Sequence, residues 1–386
     1  MRIAVDISML EIPGSGIARY IKCLLPLMIE QSQGRHHWLL YGRVCPAAHY
    51  VQLPNVTCRS DYFPRDVGRI ASLFFSQVIW GSIDQPDVYW SPAHRLPWSL
   101  PRKTATTVTV HDLCWLKQPE TMRRVTYCLD RFFMPRSLAA AQQIIAISES
   151  TAEDIKRYFG ESVRKKVSVA TEGGAHMPPP LPLVHLRSLG IERPYVLFVG
   201  SFEPRKNLAR LLQAFQRMID RTEAKILLVL VGAASWGRNS VKNDIEALGI
   251  RDKVVILENV DDQVLSTLYR HAQCLAAPSL LEGFCLPVAE AMSFGTPVLA
   301  SVSSAFPEVV GRGGVLVDPL NVDSIADGLA RLITNEDLRQ ELSEHALRHS
   351  SSFSWERAGL ATLKILESAH ENQVQRSMSP GRDGVP

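Results

Sequence analysis

The chain has 386 residues, enough for two domains of ordinary size, and its 46% hydrophobic and 21% charged residues describe a soluble globular protein. No apolar run reaches the roughly 18 residues needed to span a membrane, and Met1–Asp6 starts directly as a strand, without the apolar core and cleavage site of a signal peptide. The net charge of +3 is uneven: residues 1–185 hold 21 Lys+Arg against 15 Asp+Glu, a balance of +6, and the remainder is acidic.

A basic first half suits an anionic partner such as a membrane surface or a lipid diphosphate, and ordinary solvated charge accounts for it equally. The seven cysteines (Cys23, Cys45, Cys58, Cys114, Cys128, Cys274 and Cys285) are scattered and form no CxxC pair. That argues against a zinc site or a disulfide framework and fits a reducing cytosol.

In chain order, Ile3–Ile7 reads as a buried strand. The loop Ser8–Pro13 leads to Gly14-Ser15-Gly16 and an apolar-periodic helix to about Ile29. A glycine turn between strand and helix lets a backbone approach a ligand closely, although a plain tight turn needs the same residues. The third glycine of a dinucleotide fingerprint is missing. Trp38–Tyr41 is the second strand, Arg69–Trp80 an apolar helix for the core or for a bilayer face, and Asp87–Pro92 another strand with a turn. The β-branched strand Ala105–Val110 ends in His111-Asp112, where a parallel sheet binds ligands. Arg123, Arg124, Arg131 and Arg136 then interleave with Tyr127, Phe132 and Phe133, as an acceptor or membrane surface or simply an amphipathic helix. Strand Gln143–Ile147, a helix opened by a capping box at Ser150–Glu153, and strand Lys166–Ala170 complete a βα alternation.

Met177–Pro182, with four prolines, reads as a stiff linker and the domain boundary. The second half repeats the pattern. Strand Tyr195–Gly200 runs into Ser201–Asn207, where adjacent Arg205 and Lys206 suit a diphosphate, and a helix follows to about Met218. Strands at Lys225–Val231 and Lys253–Leu257 and a helix at Asp262–Ala272 precede the apolar run Cys274–Ala277. Beyond them lie strand Pro297–Ala300, a short helix near Pro307–Val310, strand Gly314–Val317 and helices near Val322–Thr334 and Glu336–His349. A last helix begins near Ser354, and the polar tail from about Gln373 reads as disordered.

The stretch Pro278–Met292 carries the strongest signal. Gly283 sits in a turn, and Pro287 fits the first turn of a helix that stops at Gly295. The free N–H groups at the start of that helix suit a phosphate. Glu282 and Glu290 flank the site with carboxylates for sugar hydroxyls.

Together these motifs resemble the retaining GT-B glycosyltransferases of family 4, a group that includes bacterial mannosyltransferases of O-antigen and exopolysaccharide assembly. The resemblance runs through Gly14-Ser15-Gly16, His111-Asp112, Ser148, Gly200–Asn207, the E-x7-E pair Glu282 and Glu290, Gly295–Val298 and Pro307–Gly311. It implies an α/β chain of two Rossmann-like doubly wound domains facing across a cleft. These are an acceptor domain at 1–182 and a donor domain at 183–353, with a returning helix at 354–372 and a disordered tail at 373–386.

The resemblance also implies roles for individual residues. Glu290 binds the nucleotide ribose, Glu282 lies near the donor sugar, and the Phe284–Cys285–Leu286 backbone satisfies sugar hydroxyls. Arg205 and Lys206 neutralise the departing diphosphate, His111 sits over the sugar, and Gly14, Ser15 and Gly16 close on the diphosphate. No metal or other cofactor is implied. The partners are a nucleotide-sugar donor, GDP-mannose by overall resemblance, and a lipid-linked or growing saccharide acceptor, with no nucleic acid. Two departures stand out: Cys285 replaces a usual glycine, and Ser201 stands where arginine is common, so Arg205 is taken to supply that charge. Another activity on the same fold, such as a nucleotide-sugar epimerase, or a non-catalytic sugar-nucleotide binder would use much of the same site.

Overall fold

The computed structural model describes residues 1–12, 14–43, 52–60, 69–174, 177–232 and 238–378; Pro13, Cys45 and residues 379–386 lie outside them. The chain divides into two compact units. One comprises Met1–Leu113, Val125–Thr171 and Trp355–Pro386, and the other Cys114–Arg124 and Glu172–Ser354. The chain changes unit between Thr171 and Glu172, ahead of the proline run. Residues beyond that point are fastened to the second unit: Gly174 N–H donates to the Phe353 carbonyl at 3.2 Å and Leu181 N–H to Thr267 Oγ1 at 2.7 Å.

The first unit is built on a parallel sheet in the order β3-β2-β1-β4-β5-β6-β7. Its strands are β1 (Arg2–Asp6), β2 (His37–Tyr41), β3 (Val56–Arg59), β4 (Val88–Ser91), β5 (Ala105–Val110), β6 (Gln143–Ala146) and β7 (Val167–Val169). Ile3, Ala4 and Val5 of the central β1 are fully buried, as expected of a strand covered on both faces. Edge strand β3 buries only Val56, so it lacks the continuous apolar run that marks the others.

The helices α1 (Gly16–Gln31), α2 (Arg69–Asp84), α4 (Arg124–Ala140), α5 (Glu149–Tyr158) and α6 (Glu161–Arg164) belong to this unit, whereas α3 (Cys114–Lys117) and Arg124 group with the second. In α1, Ala18, Ile21, Leu25, Met28 and Ile29 recur at helical spacing and are buried. The described inner face of α2 packs on the sheet: Gln77 is buried and donates to Asp6 Oδ1 at 3.2 Å, and buried Asp84 accepts from Arg59. Phe75 and Ile83 of the same helix are exposed, and Val78, Ile79 and Trp80 are half-buried. Helix α5 begins earlier than the capping box at Ser150 suggests. Its cap is Ser148, whose Oγ accepts from Thr151 N–H at 3.0 Å, which makes Ser150 an interior residue.

The second unit repeats the design with a parallel sheet ordered β10-β9-β8-β11-β12-β13. Its elements are α7 (Val184–Ser188), β8 (Tyr195–Val199), α8 (Leu208–Thr222), β9 (Leu227–Val231), α9 (Arg238–Ala247), β10 (Val254–Leu257), α10 (Asp262–His271), β11 (Cys274–Ala277), α11 (Leu286–Ser293), β12 (Val298–Ser301), α12 (Phe306–Val310), β13 (Gly314–Val317), α13 (Val322–Thr334) and α14 (Glu336–Ser350). Helices α8 and α13 cover one face, burying Leu211, Leu212, Phe215, Ile325 and Leu329.

The last helix, α15 (Trp355–Met378), packs on α1 of the first unit. Gln31 Nε2 donates to the Glu356 carbonyl at 2.9 Å, and His36 Nε2 pairs with Glu367 Oε1 at 2.9 Å. The helix runs on through residues 373–378, into the stretch whose polarity reads as disordered. Gln373 anchors it there by donating to the Arg102 carbonyl at 2.8 Å and bonding the Gln142 amide. Among the described residues no helix is long and apolar enough to cross a membrane.

Candidate active site

In the second unit, β8 and β11 are neighbours although α8, β9, α9, β10 and α10 separate them in sequence, so the connections leave them in opposite directions. Ligands of open parallel sheets bind in the crevice that forms beyond such a pair. Strand β8 delivers the loop Gly200–Asn207 there, and β11 delivers Pro278–Cys285. The two loops are tied together: Leu280 N–H donates to the Arg205 carbonyl, and Arg205 Nη1 to the Leu281 carbonyl, each at 2.8 Å. Buried Asn207, in the left-handed conformation at φ 62°, donates through Nδ2 to the Pro278 carbonyl at 2.9 Å and the Pro319 carbonyl at 2.7 Å.

This locking brings together three residues singled out by the sequence. Glu282 accepts from Arg205 Nη1 at 2.8 Å and from Lys206 Nζ at 2.6 Å. The Glu282 backbone is fixed as well: its N–H donates to Ser304 Oγ at 3.1 Å and its carbonyl accepts from the same hydroxyl. Burial alone would push this carboxyl up. The Arg205 and Lys206 charges and the Lys206 and Ser279 hydrogen bonds outweigh burial and hold it at about 2. The cluster therefore combines one buried anion with two cations, and the more exposed Glu203 carboxylate lies 3.9 Å from Arg205.

The next residues form the start of α11. Cys285 precedes it at φ 75°, ψ 72°, a conformation that costs a residue with a side chain about 1–2 kcal/mol and that glycine adopts freely. This is the position where glycine is usual in the family that the sequence resembles. Burial first, and then the Glu282 charge, push its thiol up to about 12. The Phe284 ring is buried and meets Phe353 edge-on at 5.2 Å, and Leu286 is buried too, so these two residues turn their side chains into the core. Among the described residues the main-chain N–H groups of Phe284, Cys285 and Leu286 have no backbone acceptor, which suits an anionic or hydroxylated ligand. Glu290, within α11, is buried and accepts from the Tyr269 hydroxyl at 2.8 Å.

The remaining expected residues lie on the first unit. His111 follows β5, and its Nε2–H donates to the Pro92 carbonyl at 2.8 Å, which fixes the ring's orientation. Tyr20 of α1 meets the His111 ring edge-on at 5.0 Å. Ser15 caps α1, with Oγ accepting from Ala18 N–H at 3.1 Å. Gly14 needs glycine for its φ of 81°, whereas Gly16 opens the helix beside open space, so no protein atom excludes a side chain there.

Sequence reading overlooked Ser279, Ser304 and Tyr269. Ser304 and Tyr269 each lie about twenty residues from the glutamate they serve, and a lone serine or tyrosine in a loop or helix carries no local signal.

Residues 187–349 match the model of a family described as "Glycosyl transferases group 1". The chain is 28% identical over 385 residues to the Escherichia coli "O-antigen chain mannosyltransferase B", covering 94% of this chain and 98% of that one. It is 26% identical over 305 residues to the Escherichia coli "Serotype-specific mannosyltransferase WbdA", covering 75% of this chain and 36% of that longer one. Among solved structures it is similar to sucrose-phosphate synthase from Thermosynechococcus elongatus, with a TM-score of 0.76, 17% identity and coverage of 96% and 100%. It is also similar to WaaG, a glycosyltransferase of lipopolysaccharide biosynthesis, with a TM-score of 0.70, 15% identity and coverage of 95% and 99%. The structural likeness shows the fold, which is GT-B. The group 1 match thus falls within the second unit, and the likeness to an O-antigen mannosyltransferase runs along nearly the whole chain.

Proposed function

We propose that the chain transfers a mannosyl residue from GDP-mannose to a lipid-linked or growing saccharide during synthesis of a cell-surface polysaccharide. One observation carries the choice of sugar: the 28% identity to an O-antigen mannosyltransferase extends along 94% of the chain rather than over the donor unit alone. The second unit's crevice supports a nucleotide-sugar donor on chemical grounds. Glu290 accepts the ribose hydroxyls, the start of α11 receives the diphosphate, and Arg205 and Lys206 neutralise its charge as it departs. Glu282 holds both cations in place beside the donor sugar. His111 is assigned to the sugar, and Gly14, Ser15 and Gly16 to the diphosphate, on the family resemblance.

In the transfer, the bond from the sugar C1 to the phosphate oxygen breaks as the acceptor oxygen bonds C1 on the same face. The acceptor proton passes to the departing phosphate oxygen, so GDP leaves and the anomeric configuration is kept. A thermal-shift panel tests the donor, because a ligand that binds only the folded chain raises its melting temperature with occupancy. GDP-mannose is expected to stabilise the chain more than UDP-glucose or ADP-glucose, and GDP release is expected to depend on added acceptor. Stabilisation by UDP-glucose alone overturns the donor, and an altered sugar formed without acceptor overturns transfer.

A further inference from the structure

In the second unit, the end of α10 is fastened to α11, the helix that carries Glu290. Tyr269, fully buried in the last turn of α10, supplies most of the fastening. Its hydroxyl donates to Glu290 Oε2 at 2.8 Å. Its ring is stacked against that of Phe294, the residue that ends α11, with centroids 6.1 Å apart and planes at 19°. Its carbonyl accepts from Thr296 Oγ1 at 2.6 Å, and the neighbouring Arg270 donates through Nη1 to the Phe294 carbonyl at 3.1 Å. Hydroxyl, ring and main chain of Tyr269 are thus all held by α11 or by the turn just after it.

A buried tyrosine hydroxyl needs an acceptor, and a main-chain carbonyl is enough: Tyr195 of the same unit donates to the Leu268 carbonyl at 2.7 Å. Tyr269 instead spends its donor on the carboxylate of a residue that is only 5% exposed. Because its ring and main chain are fixed, its hydroxyl cannot follow a moving partner, and the Glu290 carboxylate is held at one rotation. A carboxylate has about four acceptor positions, so one bond sets its orientation without exhausting its capacity.

We propose that Tyr269 is a positioning residue that makes the nucleotide site selective for ribose over deoxyribose. This role rests on the reading of Glu290 as the acceptor for the ribose hydroxyls, and is independent of the base and of the sugar transferred. Its physical basis is the cost of an unmade hydrogen bond. A buried carboxylate pinned by Tyr269 cannot swing to another donor when a deoxy ring arrives, so the missing hydroxyl is felt in full. A carboxylate that turns freely recovers part of that loss elsewhere and discriminates weakly. Tyr269 therefore sets how much one hydroxyl matters, acting through Glu290 rather than on the nucleotide.

Calorimetric titration of the full chain with GDP, UDP and ADP, each beside its 2′-deoxy and 3′-deoxy forms, tests this role. The wild type is expected to bind its ribonucleotide about tenfold or more tighter than at least one deoxy form, the size of effect for a hydrogen bond to a charged group. Tyr269→Phe keeps the ring and its stacking and removes only the hydroxyl. It should bring that ratio to within about threefold, by weakening the ribonucleotide more than the deoxy form. Phe294→Leu, at a half-buried ring, loosens the same tyrosine and should lower the ratio in part. A wild type that binds both forms equally, or none of these nucleotides, overturns the assignment of Glu290 to the ribose and the role of Tyr269 with it. A wild type that discriminates, with the same ratio in Tyr269→Phe, overturns the role of Tyr269 alone, because a merely structural tyrosine weakens both forms equally. Where Tyr269→Phe does not fold, Phe294→Leu decides, and an unchanged ratio there overturns the role.

Discussion

At Glu282, one carboxylate is shared between two cations, so removing it and removing either cation have different consequences. Without Glu282, Arg205 and Lys206 lie next to one another, their side chains only 17% and 12% exposed, with no counter-charge from it. Glu282→Ala should therefore cost about 3 kcal/mol or more of stability, measured by denaturant unfolding, in addition to losing activity. Lys206→Ala leaves the Arg205–Glu282 pair intact. It should cost under about 2 kcal/mol while lowering kcat about 100-fold or more, the size of effect seen when one preorganised charge-stabilising group is removed. Lys206→Ala is the cleaner probe of chemistry; near-normal kcat in that variant would remove Lys206 from the mechanism.

Cys285 gives a second residue-scale expectation. Its thiol is buried and pushed up to about 12, as is that of Cys274, whereas Cys128 is exposed. An alkylating reagent at pH 8 should modify Cys128 while leaving Cys285 and Cys274 untouched in the folded chain, because only about one thiol in ten thousand is ionised at four units below its pKa. Mass mapping of the labelled peptides checks this, and rapid labelling of Cys285 would contradict its burial.

Between neighbouring elements, space rather than charge sets the limits. Gly232, at the end of β9, has no room for a side chain: a Cβ there would sit 2.3 Å from the Gly200 carbonyl oxygen and 2.6 Å from the Phe202 ring. Both neighbours belong to the β8 end that carries Arg205 and Lys206. Gly232→Ala must therefore push that loop, and it should cost about 1–3 kcal/mol and lower kcat/KM through displacement of the two cations. Unchanged stability and kinetics would mean that the loop yields freely.

The same contrast between pattern and space explains what could be read from the sequence at this scale. Strands such as Ala105–Val110 and Gly314–Val317, and helix Val322–Thr334, have the expected bounds, because continuous β-branched runs and apolar spacing report burial directly. Strand β3 and the largely polar α9 were missed, since each has too few apolar side chains to show a period. The E-x7-E pair was legible because its members share one local turn and helix. The Arg205–Glu282–Lys206 cluster was not, because 76 and 77 residues separate the partners and only the adjacency of β8 and β11 closes that distance.

For the whole molecule, each unit contains a buried carboxylate held below its ordinary range by cationic partners. In the second unit, burial raises Glu282 and the Arg205 and Lys206 charges overcome it, leaving the group at about 2. In the first unit, burial likewise opposes ionisation of Asp130, and His94 and Arg95 more than compensate, so it too is lowered. A carboxylate whose pKa is lower in the folded than in the unfolded chain contributes stability that is fully present above its unfolded value. That stability is lost as pH falls towards the folded value. For Glu282 the window runs from about 4.5 down to about 2, and the drop in unfolding free energy across it should reach about 3 kcal/mol. Asp130 adds a loss of the same sign below its ordinary value of 3.8. Urea midpoints measured from pH 6 to pH 2.5 should therefore fall for the wild type. Glu282→Gln should be less stable than wild type at pH 6 and should show a shallower acid slope for the second unit, because its position no longer takes up a proton. Asp130→Asn should flatten the first unit's transition and leave the second unchanged. Parallel slopes in wild type and both variants would place the acid sensitivity in other groups and would undercut the charge sharing inferred at Glu282.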